Sequence, residues 1–168
     1  VIALTFDLSR QTGWACGDIR GDRPVMGDIY LPFEGGEGAR LAALENEIIL
    51  LLNAHEPEYI VMESPLSVFA MNNEASARQQ LGLRAIALAV AYRESLPVTE
   101  VSADIARAAV IGLNRAGSSD AMKKAVMLWC RRQGLRPASH NSGDAAVVWF
   151  WYRAVRTGIY PNQLSLAG

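Results

Sequence analysis

With 168 residues the chain is long enough for one domain with a sizeable core and too short for two comfortable ones. It is 51% apolar and 20% charged, as soluble globular proteins are, and no apolar run approaches the ~20 residues that a membrane span needs. Cys16 and Cys130 stand far apart and outside CxxC spacing, which argues against a disulfide scaffold or a zinc knuckle. The opening VIALTF is too short for the apolar region of a signal peptide and has no basic leader, and the chain starts on Val, so a residue or two before it is expected to be missing. A cytoplasmic protein is the default expectation.

The run VIALTFDL is β-rich and ends in an acid. QTGWACGDI and PVMGDIYLPF follow, separated by the turn-forming RGDRP, so the first third reads as three strands joined by tight turns. Between Gly38 and His55 the apolar positions Leu41, Leu44, Ile48, Leu51 and Leu52 fall at helical spacing, with Pro57 just beyond. YIVME is a fourth strand, apolar on both faces, as a strand covered from both sides should be. SPLSVFAMNN reads as a loop, and residues 74–94 as an Ala-rich helix whose small side chains permit close packing. LPVTEVS is a fifth strand, and helices are expected over 103–113 and 119–133, split by AGSS. A last helix starts near Asn141 or Ser142, with Asp144 in its first turn, and runs to about Arg156. Three early strands in a meander, then strands alternating with helices, imply an α/β fold: a five-stranded mixed sheet with helices on both faces. A doubly wound protein of this length would begin βαβ.

Three acids stand at pointed places. Asp7 ends one apolar strand, Glu63 ends another, and Asp144 opens a helix of Ala, Val and aromatics. A carboxylate at the end of a buried strand is costly unless its charge is compensated. Each alone reads as a salt bridge or a helix-start acid. Three at the ends of adjacent elements suggest ligation of hard cations such as Mg²⁺, which take oxygen ligands. Two such ions suit phosphodiester hydrolysis.

The charge distribution bears on the partner. A net charge of −1 argues weakly against nucleic acid. Yet residues 1–100 hold 14 acids and 7 bases, whereas 105–136 hold Arg107, Arg115, Lys123, Lys124, Arg131, Arg132 and Arg136 against Asp120 alone. That segment is either a solvated surface or a phosphate-binding face, and composition does not separate the two.

The motifs reach a known family. ALTFDLSRQTGWA resembles the first motif of RuvC-type Holliday junction resolvases, YIVMESP the second and GDAAVVWF the last. FAMNNEASARQQLGLRA resembles the loop and helix after the second acid, and ARAAVIGLNRAGSSDAMKKAV the segment bearing the family's basic residues. The likeness extends to about residue 155 and suits a phage-type or divergent member. It implies an RNase H-like fold for the whole chain, 1–168, and a homodimer cutting four-way DNA junctions with Mg²⁺, or Mn²⁺, two ions per site. No membrane or small-molecule cofactor is expected. Asp7, Glu63 and Asp144 would be metal ligands. Arg107 and Lys123 would lie near the scissile phosphate, aided by Lys124 and Arg115. Phe69 would wedge between bases, unless it is a core or interface residue.

One departure concerns the metal site. The family generally carries an acid or a His a few residues before the last Asp, and this chain reads SHNSGD. His140 is a candidate metal ligand or water-orienting group, or an exposed loop His. Asn141 is a neutral ligand or an N-cap. The site therefore carries less negative charge than is typical, which lowers the expected metal affinity or activity. His55 reads as structural.

Three other readings remain open. An actin-like ATPase or sugar kinase shares the opening Asp and Thr-Gly, but needs a duplicated domain and a second phosphate loop. Another RNase H-like nuclease, acting on RNA or other DNA structures, differs in substrate. A catalytically weakened junction-binding protein is suggested by Asn141.

Overall fold

The structure is a computed structural model that describes residues 1–64, 74–113 and 117–161. Within them lie strands β1 (Ile2–Asp7), β2 (Gln11–Asp18) and β3 (Val25–Tyr30), then helix α1 (Gly36–His55) and strand β4 (Tyr59–Glu63). Helix α2 (Glu74–Arg93), strand β5 (Val98–Val101) and helices α3 (Ala103–Ile111), α4 (Ser119–Arg132) and α5 (His140–Thr157) follow. The sheet runs β3-β2-β1-β4-β5. β2 is antiparallel to both β1 and β3, whereas β4 runs parallel to β1 and β5. This is the mixed five-stranded sheet that the element order implies.

The period of two along each strand assigns the residues to two cores. Leu4, Phe6, Cys16, Ile29, Ile60 and Met62 face α1 and α2, where Leu44, Ile48, Leu83 and Val90 are fully buried against them. Ala3, Ala15 and Val61 face α3, α4 and α5. The small side chains on this second face let α5 approach the sheet closely. Thr5, fully buried, seats the helix by donating to the Ala145 carbonyl at 2.8 Å. Trp129 and Trp149 each meet Phe150 edge to face, at 5.1 and 5.0 Å between ring centres. Such pairs add to the ~1.5–3 kcal/mol that burying one large apolar side chain contributes.

The beginning of α5 differs from expectation. The helix starts at His140, capped by Ser139, whose hydroxyl accepts from the amides of Asn141 and Ser142. Ser142 returns the bond by accepting from the Ser139 amide, which closes a capping box. Asp144 is therefore the fifth helical residue and not a first-turn acid. Asn141 is not the N-cap, and His140 is helical and not in a loop. α5 is buried almost all round over its first half, so its Asp144 sits deep, at 5% exposure.

Of the remaining expectations, α2 packs its small residues against α1 and the sheet. His55 lies against Trp14 with ring centres 5.5 Å apart, which agrees with a structural role. Both cysteines are buried free thiols, pushed up to about 12 by burial. Among the described residues no helix is long and apolar enough to cross a membrane.

Candidate active site

Register places the acids. Asp7 pairs with Gly13 on β2, and Gly13 pairs with Asp28 on β3, so the three form one row across the sheet. Residues directly opposite in a ladder point to the same side. Asp7 shares the face of Ala3 and Thr5, Glu63 that of Val61, and Asp28 the face opposite the buried Ile29. All three acids thus lie on the α5 side. Gly13 is required there: a Cβ at this position would come within 2.0 Å of the Asn141 carbonyl oxygen and 2.4 Å of the Ser142 nitrogen. The first turn of α5 rests directly on β2, between Asp7 and Asp28.

Two adjoining clefts, of about 360 and 540 Å³, open at the Asp7 end of this row and share Asp7, Asp104 and Arg107. Glu63 lines the first with Ser64, Gln80 and Arg84. Asp144 lines the second with His140, Asn141 and Lys123. Lys123 and His140 also border a third cleft of about 430 Å³, along α4, with Lys124 and Arg131. Seven sequence-selected residues (Asp7, Glu63, Arg107, Lys123, His140, Asn141 and Asp144) thus border one continuous depression, and Lys124 lies just beyond it. Phe69 and Arg115 lie outside the described residues.

The acids carry surplus charge. Burial, then repulsion from Glu63 and Asp144, raises the Asp7 carboxyl well above the usual range, and Arg107 offsets this only in part. Burial pushes Glu63 up to about 7, against the pull of Arg107 and with repulsion from Asp144 and Asp104. Asp144 is also raised by burial, although Arg107, His140 and Lys123 draw it down. Arg107 answers the three acids. It donates to Asp144 Oδ1 from Nε at 3.0 Å, and its Nη2 lies 2.9 Å from the same oxygen in an ion pair. Burial lowers its own pKa, but the attraction of Asp144 and Glu63 outweighs that and raises it. Among the described residues no three acid, His or Cys side chains stand close enough to enclose a metal ion as they are arranged. The cation held among these carboxylates is a guanidinium.

Asn141 is buried and committed: its Nδ2 donates to the Gln11 carbonyl at 2.6 Å, tying α5 to the turn after Asp7. Two acids escaped the sequence reading. Asp104, in the first turn of α3, borders both main clefts. Asp28 accepts from the Ser139 hydroxyl at 2.6 Å, its other oxygen is buried without a partner, and its charge raises Asp7. Asp104 reads as an ordinary first-turn acid. Asp28 offered one signal, an acid on the inward-facing row of a strand, visible only once the register is known.

No protein-family model matches the chain. Among curated proteins it is similar to the crossover junction endodeoxyribonuclease RuvC of Rhizobium etli, 29% identical over 141 residues, covering 82% of this chain and 77% of that protein. RuvC of Agrobacterium fabrum is 25% identical over 163 residues, covering 95% and 92%. Among solved structures, Thermus thermophilus RuvC in complex with a Holliday junction substrate superposes with a TM-score of 0.75 at 15% identity, over 94% of this chain and 97% of that one. The yeast mitochondrial Holliday junction resolvase Ydc2 gives 0.62 at 14% identity, over 90% and 78%. The fold is therefore the RNase H-like fold of these proteins. In sequence and in fold alike, the chain is similar to RuvC-type resolvases.

Proposed function

We propose that the chain is a metal-dependent endonuclease that resolves four-way DNA junctions by phosphodiester hydrolysis. One observation carries the reading. Three carboxylates, Asp144 buried and Asp7 and Glu63 half-buried, come from β1, β4 and α5 to line adjoining clefts in which Arg107 is the one cation bonded to them among the described residues. The relatives named as crossover junction endodeoxyribonucleases, and the neighbour solved with a Holliday junction, support the substrate.

The donor set fits a hard divalent cation. All three acids offer oxygen; burial raises each carboxyl, with mutual repulsion adding to it at Asp7 and Glu63, and a bound divalent cation would offset both. Asp7, Glu63 and Asp144 would hold Mg²⁺ or Mn²⁺, two ions in the full site, with the Asn141 carbonyl and the His140 imidazole as further donors. Bound there, the metal supplies Lewis-acid activation for hydrolysis. The chain's own groups do the rest. The planar Arg107 fork, displaced from Asp144 when metal binds, would suit two oxygens of one phosphate. Lys123, exposed on the cleft wall, adds a point charge to the same strand, and Lys124 extends that charge along α4. His140, which borders the same cleft as Asp144, would orient water or a phosphate oxygen. The wedge role of Phe69 and the phosphate role of Arg115 rest on the sequence resemblance, as does a homodimer that places one site on each of two strands.

Incubation of the protein and Mg²⁺ with a four-way junction, a linear duplex and an RNA–DNA hybrid tests the reading. Paired, symmetric nicks in the junction, abolished by chelation, are expected. Preference for the hybrid would assign the chain to another nuclease type. Tight junction binding without cutting under either metal would leave it a binding protein.

A further inference from the structure

Beyond the cleft, an aromatic and basic patch flanks the turn that follows Asp7. Phe33 is 81% exposed, and the Arg10 guanidinium lies over its ring at 3.5 Å from the centroid. An exposed Phe is not held out by packing, and one of its faces is covered by a cation while the other is open. Arg10 is itself exposed and forms no ion pair with any described residue. Tyr30, 72% exposed, stands beside the patch, its hydroxyl accepting from Gln11 Nε2 at 3.3 Å.

The patch is rigidly joined to the site. The Arg10 carbonyl accepts from the amide of the buried Leu31, which fixes the β1–β2 turn against the chain leading to Phe33. The Gln11 carbonyl accepts from Asn141, a residue of the cleft wall. Arg10 is three residues from Asp7, so their Cα atoms lie within about 11 Å of each other, roughly three base steps along B-DNA.

We propose that Phe33, backed by Arg10, is a stacking platform for an unpaired nucleobase of the DNA strand running through the cleft, close to the cut phosphate. The proposal rests on the resolvase reading. Aromatic faces stack on any base, and a guanidinium on the far side strengthens the stack while attracting the adjoining phosphate. The occupant is nucleic acid because the patch is tied through Gln11 to Asn141 on the wall of a cleft that the exposed Lys123 borders, with Lys124 on the adjoining one, and because Arg10 forms no ion pair with any described acid. Strand opening near a junction centre supplies the unpaired base.

The test scans 2-aminopurine through the positions flanking the cut in a four-way junction and follows fluorescence as Ca²⁺-arrested protein binds. In the wild type, one or two positions are expected to be quenched. Phe33→Ala should lose that quenching and bind the junction about tenfold more weakly, whereas Phe33→Trp should retain both. Thermal melts of each variant should match the wild type, since the side chain is exposed. If the wild type binds and cuts junctions while Phe33→Ala binds equally and shows the same quenching profile, the platform alone is overturned. If the wild type binds no branched DNA, the resolvase reading and the platform fall together.

Discussion

Arg107 and Asp144, 37 residues apart in the chain, meet through a hydrogen bond from Nε and an ion pair from Nη2, both to one carboxylate oxygen. Both partners are largely buried, with side-chain exposures of 20% and 7%. The guanidinium compensates the acids in the absence of another cation, so metal ions entering the cleft compete with it for Asp144. Arg107→Ala is therefore expected to lower the Mg²⁺ concentration for half-maximal cutting. The same change removes the guanidinium that, once metal displaces it from Asp144, would pair with the phosphate, which should reduce the cutting rate on the order of 10²-fold. Magnesium titrations of single-turnover cutting read both effects, and unchanged metal dependence would show that the ion pair lies outside the metal site.

The raised carboxyls give metal-free stability a definite pH dependence. Glu63 stands at about 7 in the folded chain against an ordinary 4.5. Between those values the folded state holds the extra proton, so stability falls as pH rises. The Glu63 contribution is fully present below about 4.5, and its loss is complete above about 7. It amounts to at most about 3 kcal/mol. Asp7 and Asp144 act in the same direction. Glu63→Gln should remove much of the slope, so at pH 8 in EDTA its Tm should exceed that of the wild type by roughly 5 °C. Mg²⁺ should raise the wild-type Tm more at pH 8 than at pH 5. Thermal melts from pH 4 to 9 decide this, and a wild-type Tm that rises through that window without metal would contradict it.

Asn141 holds two positions at once, on the cleft wall and on the Gln11 carbonyl. Asn141→Asp loses the donor, sets a carboxylate against that carbonyl and adds charge beside Asp7 and Asp144. Without metal its Tm should drop. With Mg²⁺ the added acid should lower the concentration for half-maximal cutting, since a carboxylate ligates more strongly than an amide oxygen. His140→Ala should reduce cutting, and more so with Mn²⁺, which accepts imidazole better than Mg²⁺ does. If neither variant alters metal dependence, the ligand set reduces to Asp7, Glu63 and Asp144.

Lys123 borders both the cleft of Asp144 and the adjoining cleft along α4, and Lys124 borders the latter. If they track the phosphate backbone, replacing either with Ala should flatten the salt dependence of junction binding by about one unit of slope. The loss should be similar across DNA sequences, because phosphate contacts carry no base information. A wild-type slope in both variants would return them to the solvated surface.

The strands and most helix bounds were legible because their signals are local: the β-rich run of β1, the turn-forming RGDRP between β2 and β3, apolar spacing in α1, and Pro57 beyond its end. The three acids stood out because a carboxylate closing an apolar strand is costly wherever the chain goes. The start of α5 was misjudged because Ser139 and Ser142 form the capping box with a serine at the third position, where the usual signal is Glu or Gln. Asp28 was hidden for a different reason. In VMGDIY it is one acid in a half-exposed edge strand, and only the row Asp7–Gly13–Asp28 places it beside the site. The Arg107–Asp144 pair is likewise a product of packing α3 on α5, which no spacing encodes. Phe69 and Arg115 lie outside the described residues.

The central claim is that Asp7, Glu63 and Asp144 hold the metal for junction cutting. Single-turnover cutting of one four-way junction by the wild type and Asp7→Asn, with binding measured on the same DNA, tests it most directly. Asp7→Asn should bind as tightly as the wild type or more so, because it removes negative charge facing phosphate, and should cut at a rate indistinguishable from background at any Mg²⁺ concentration. Wild-type cutting by Asp7→Asn would contradict the claim.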